Sequence, residues 1–195
     1  ATRRRDGLRQ TDAQLPVLRA TVRTMRPISQ ALTRTHPWHA LAWAGVFLMA
    51  ALLVRVWQAQ RPELVLAMSI FLACSLAIQL LLKQLPSLFA FMLVVAALLS
   101  GAGGVFDWFE SLRWYDEAVH AYTGFAGMAA IGYLYARKRT PPLSRLVWWC
   151  TGMGLVLGIG WEVIEGLVGD LEAVDTASDI VLDTLGAALG GAFAW

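Results

Sequence analysis

Three groups of ionisable residues in this 195-residue chain carry helical spacing. Asp116 and His120 are four apart in WYDEAVHAYTG. Glu162 and Glu165 are three apart in GWEVIEG. Asp175, Asp179 and Asp183 follow at four-residue steps in DTASDIVLDTLG. Residues three or four apart share one face of a helix, so each group makes a polar stripe. Carboxylate oxygens with one imidazole suit Fe, Mn or Zn, and carboxylates alone suit Ca or Mg. The candidate ligands of a divalent metal are therefore Asp116, His120, Glu162, Glu165, Asp175, Asp179 and Asp183, with Fe, Mn, Zn or Ca as the ion. Proton carriage is the other chemistry open to the same groups. Paired carboxylates on facing helices also house two metals in helical bundles, although the usual ExxH pair is absent here. No haem is expected, because His120 is the single histidine placed well inside an apolar segment.

The elements that must position these groups follow from composition. The chain is 57% hydrophobic and 15% charged, where a soluble domain is about 25% charged. This is the composition of an integral membrane protein. A spanning helix needs about 20 mostly apolar residues, and lipid leaves no alternative partner for the backbone. Six segments qualify, near residues 38–57, 63–83, 87–106, 118–136, 146–168 and 179–195. The expected fold is an all-α membrane protein of six transmembrane helices, with one membrane domain over 37–195 after a basic segment of 1–36.

Orientation follows the Lys and Arg of short loops. Eight Arg precede residue 35, Lys83 follows the second span, and RKRTPPLSR follows the fourth. These mark the cytoplasmic side and put both termini there. The other side receives residues 58–62 and the acidic loops DWFESLRWYDE and GDLEAVDTAS. Under that topology the three polar groups come to the same depth near the non-cytoplasmic face, a coincidence that hydropathy did not require.

Charge balance sharpens the point. An acid at the centre of a membrane helix costs about 2.5–3.5 kcal/mol on insertion scales, and less near the interface. Arg113 is the lone Lys or Arg between residues 84 and 136, and residues 146–195 contain none. Protons or a bound cation must balance most of the negative charge. Helix-start preference explains Asp116, Glu117, Asp175 and Asp179 one at a time. It does not explain Glu162 and Glu165 near a helix C-terminus, nor Asp183 a turn deeper.

The remaining patterns concern anchoring and packing. Leu15, Leu18, Val22, Met25 and Leu32 recur at helical spacing, with Arg19, Arg23 and Arg26 between them, as in an amphipathic cytoplasmic helix lying on anionic lipid. The same segment is a candidate docking arm for other membrane subunits, with lipids as its default partner and no nucleic acid expected. From residue 87 onward the spans turn rich in small residues, with Gly154-x-x-x-Gly158 and Gly186-x-x-x-Gly190 at close-packing spacing. Cys74 and Cys150 read as free thiols in apolar segments, and most of the nine Trp fall at interfaces as an aromatic belt.

The motif set Tyr115-Asp116-x-x-x-His120 with Gly124, Glu162-x-x-Glu165, Gly169-Asp170, and Asp175-Thr176-x-x-Asp179 with Gly186 resembles the YjdF-like bacterial inner-membrane proteins over residues 100–195. Gly166 and the four-residue spacer between GD and DT depart from that pattern, as does Asp183. The resemblance implies a multispan bacterial membrane protein and supplies no reaction. Two functions stay open: a membrane protein with an acidic metal or proton site built by the last three spans, or an accessory subunit of a larger complex, binding pigment or lipid. Transport, catalysis and sensing are all compatible with the first.

Overall fold

The computed structural model describes residues 37–168 and 173–195, apart from the side chains of Glu165, Val168, Ala173 and Val174. The amphipathic helix and docking arm expected in 1–36, the Gly169-Asp170 pair and the Glu165 carboxylate lie outside the described residues. Among the described residues there is no strand, and seven helices follow in order. They are α1 (Pro37–Gln58), α2 (Pro62–Leu81), α3 (Ser87–Val105), the single-turn α4 (Trp108–Ser111), α5 (Tyr115–Arg139), α6 (Leu143–Val168) and α7 (Ala173–Phe193).

Four of them, α1, α2, α3 and α6, are long and apolar enough to cross a membrane. Helices α5 and α7 match them in length, at 25 and 21 residues, and fall short in apolarity for a chemical reason. Helix α5 carries Asp116, Glu117, His120 and several Gly and Tyr, and α7 carries three Asp. The side chains that could do chemistry are the ones that dilute the hydrophobic signal.

Helix ends follow local rules. Pro37 opens α1 and Pro62 opens α2, where a missing N–H costs nothing. Helix α5 places Asp116 and Glu117 in its first turn and Arg137, Lys138 and Arg139 in its last, complementing the macrodipole at both ends. Thr140 closes it in the left-handed region at φ 43°, and Pro141 and Pro142 bar its continuation. Helix α7 begins at Ala173, six residues before its apolar stretch, so Asp175 falls in its first turn.

Packing falls into two connected sets. Helices α1, α2 and α3 pack on one another, with Met49, Leu52, Val56 and Met68 buried between them. Helix α3 also meets α5 through Phe89, Ala90 and Met92 against Ala126, Ala129 and Ala130. Helix α7 lies against both α5 and α6, which touch each other far less. Helix α2 buries little beyond Met68 and Ser75 and turns the rest of its apolar surface outward.

The turns before α2 and after α3 are tied by Arg61 Nη1 to Asp107 Oδ1 at 3.2 Å, across 46 residues of sequence. Both side chains are exposed, and solvent screens such pairs. Arg61→Ala is therefore expected to leave the thermal midpoint unchanged in a detergent melt, and a clear drop would reveal a stronger tether than an exposed pair provides.

Candidate metal centre

The parallel neighbours α5 and α7 build most of the site. Asp116 and His120 occupy the first two turns of α5, and Asp175, Asp179 and Asp183 the first three turns of α7. Small residues bring the two backbones together directly below. A Cβ at Gly186 would collide with the Ala121 carbonyl oxygen, and one at Gly190 with that of Phe125. A Cβ at Gly124 would stand 2.5 Å from the Asp183 carbonyl oxygen. The two GxxxG pairs thus serve different contacts. Gly186 and Gly190 face α5, whereas Gly154 and Gly158 of α6 meet Ala187 and Asp183 of α7. Tyr115 fixes the start of α5 from another direction: its buried hydroxyl donates to the Leu99 carbonyl of α3 at 2.8 Å.

His120 is the hub. Its Nε2 stands 3.6 Å from Asp116 Oδ1 and 4.0 Å from Asp179 Oδ2, and its Nδ1 stands 3.3 Å from Asp183 Oδ2. One ligand atom each from Asp116, His120 and Asp179 fall within 4.8 Å of one another. A tetrahedral ion with bonds of about 2.1 Å holds neighbouring ligand atoms about 3.4 Å apart. The three atoms are therefore close to a spacing one ion can bridge after small side-chain rotations.

Burial makes the cluster costly without a cation. His120, Glu162, Asp179 and Asp183 are all buried, with Asp179 3% and Glu162 5% exposed. Glu162 Oε1 and Asp179 Oδ1 are enclosed and have no hydrogen-bonding partner among the described residues. Glu162 of α6 and Asp175 both act electrostatically on Asp116 and Asp179. Ion pairs among the described residues involve Arg61 and His120 as the basic partners, so no described Lys or Arg pairs with this cluster. A buried ion without a partner costs several kcal/mol.

The expected residues therefore take different places. Asp116, His120 and Asp179 form the inner group, Asp183 lies on the far side of the imidazole, and Glu162 acts on two of the group, its Oε1 without a partner among the described residues. Asp175 is exposed at the mouth. Asp179 sits beyond the first turn of α7 and Asp183 a turn deeper, so helix-start preference accounts for neither. Glu162 stands well inside α6, which runs on to Val168. Glu117, read from sequence as an ordinary helix-start acid, has an enclosed Oε2 without a partner among the described residues and acts on Asp116. Its signal was its adjacency to Asp116, which spacing rules place on a different face.

Neither a curated protein nor a solved structure matches the chain. A family model for a predicted membrane protein, DUF2238, matches residues 40–195, and the YjdF-like resemblance read from the motifs is compatible with it. That match runs from the first turn of α1 through α7 and takes in every residue of the cluster, and the chain belongs to the DUF2238 family of predicted membrane proteins.

Proposed function

We propose that this protein is a six-span inner-membrane protein, both termini cytoplasmic, that holds one divalent transition-metal ion through Asp116, His120 and Asp179 near the non-cytoplasmic face. The observation that carries the reading is the enclosed carboxylate oxygen of Asp179, without a hydrogen-bonding partner among the described residues and next to the His120 imidazole, with a second enclosed acid, Glu162, acting on it and no described Lys or Arg paired with either. The donor set favours Mn, Fe or Zn over Ca, whose sites are built from oxygen alone. Three protein ligands leave coordination positions free for water or substrate, as in catalytic rather than closed structural sites.

Access supports a bound, resident ion over a transported one. Exposure falls from Asp175 at the surface, through Asp116 with 30% of its side chain exposed, to Asp179 with 4%. Below Asp183 the backbones of α5 and α7 close on each other at Gly124, Gly186 and Gly190. The cluster is exposed at its Asp175 end and closed at its Gly186 end.

Elemental analysis of the purified chain tests the reading. Wild type should carry a single Mn, Fe or Zn ion per chain, and His120→Ala none. A wild type that stays metal-free after loading with all three ions would end the proposal. In sealed vesicles containing a metal-sensitive dye, the protein should give no uptake above protein-free vesicles. Saturable uptake would replace residence with transport.

A further inference from the structure

We infer that Asp183 is not a metal ligand but the residue that orients one: its carboxylate accepts the Nδ1–H of His120 and so turns the Nε2 lone pair toward the ion. This rests on the metal reading above. The two ring nitrogens face different acids. Asp116 and Asp179 stand on the Nε2 side, at 3.6 and 4.0 Å, and Asp183 on the Nδ1 side, at 3.3 Å. A neutral imidazole has one proton for two nitrogens. A metal on Nε2 needs the lone pair there, which leaves the proton on Nδ1, facing Asp183 Oδ2. Ligating histidines ordinarily donate their second N–H to such an outer partner, which fixes the tautomer and strengthens the ligand.

The surroundings of Asp183 are built for this position. Gly158 of α6 leaves room for its carboxylate, since a Cβ there would stand 3.0 Å from Oδ2. Gly124 of α5 lets its backbone approach, and the residue is 8% exposed. Asp183 is also absent from the three residues whose ligand atoms converge. The stripe on α7 therefore divides by depth: Asp175 at the mouth, Asp179 at the ion, Asp183 behind the imidazole.

Co(II) titration of the full-length protein in detergent, followed by its visible absorption and by Zn competition, tests the assignment. Asp183→Asn keeps an acceptor for Nδ1–H and should bind within about threefold of wild type, whereas Asp183→Ala should lose about 10–100-fold. At saturation both should keep the wild-type Co(II) band positions, because the coordinating atoms are unchanged. Asp179→Asn should lose saturable binding. If Asp183→Asn loses as much as Asp179→Asn, or shifts the Co(II) bands, Asp183 is a ligand and the inference fails while the metal site stands. Unaltered affinity in Asp183→Ala also overturns it. A wild type that binds neither Co(II) nor Zn overturns the metal reading itself. Should Asp183→Ala fail to fold, 15N-histidine NMR of the Zn-loaded wild type decides: a proton on Nδ1 is expected, and a metal-bound Nδ1 overturns the assignment.

Discussion

Asp179→Asn is expected to raise the melting temperature of the metal-free protein and to abolish the further rise on adding metal. The two effects have one cause. Asp179 is 3% exposed, its Oδ1 has no partner among the described residues, and Asp116, Asp175 and Glu162 all act on it with charge of the same sign. The basic group within ion-pair distance of it among the described residues is His120 Nε2, at 4.0 Å and shared with Asp116. Without an ion this is a crowded anionic pocket, and buried charges not fully compensated are destabilising. Asn keeps the shape, removes a charge, and brings an N–H donor to a site crowded with carboxylates. A gain of about 1 kcal/mol moves the midpoint by about 2–4 °C in a chain of this length. In wild type, metal at about 100 times its dissociation constant adds about 2.7 kcal/mol, and the variant should gain none of it. A thermal shift assay with and without Mn, Fe(II) or Zn reads both effects. A lower metal-free midpoint in Asp179→Asn would mean that the carboxylate is already satisfied, and the case for a cation would go with it.

How much of this was legible beforehand depends on what spacing can specify. The i, i+4 step in Asp116–His120 and the steps in Asp175–Asp179–Asp183 named faces, and alternating loop charge brought those faces to one depth. That much is consistent with α5 and α7 acids gathering around His120, with Glu162 of α6 acting on two of them. Spacing does not name partners across helices. Nothing in the sequence assigns Nδ1 to Asp183 and Nε2 to Asp116 and Asp179, because that division depends on the relative rotation of α5 and α7. The two GxxxG pairs announced close-packing faces, but not that one meets α5 and the other α7. Hydropathy placed the start of the last span at residue 179, whereas α7 begins at Ala173. Apolarity marks where a helix wants lipid; the backbone ladder starts earlier, through acids that its first turns accept. The turn α4 and the left-handed Asp107 at φ 55° were read simply as an acidic loop. The tie from Asp107 to Arg61 joins residues too distant in sequence for any local pattern.

Gly186→Ala tests the framework on which the site depends, and one methyl group should suffice. The Cβ would meet the Ala121 carbonyl oxygen and the Phe125 amide nitrogen of α5, both backbone atoms of a packed helix. A flexible side chain could swing aside, but backbone can give way only by moving α5 from α7 as a body. Overpacking of this kind costs about 1–3 kcal/mol, and more where relief is blocked. Gly152→Ala and Gly160→Ala are the controls. Nothing lies within 4 Å of an added Cβ at either position, and Ala is about 1 kcal/mol better than Gly inside a helix. They should be neutral or stabilising, and Gly186→Ala clearly destabilising. A second readout locates the damage. Cys150 is buried, with its Cβ and Sγ against Gly191 of α7, whereas Cys74 is exposed. In a Cys74→Ser background, a thiol reagent should label Gly186→Ala in detergent faster than the parent, because a displaced α7 uncovers Cys150. Adding Gly190→Ala should cost less than its single effect, since helices already parted leave room for the second methyl. The separation should carry Asp179 and Asp183 away from His120 and weaken metal binding, although neither variant touches a ligand. If Gly186→Ala melts with the controls and leaves Cys150 protected, the close approach of α5 and α7 is wrong, and the geometry around His120 built on it is wrong too.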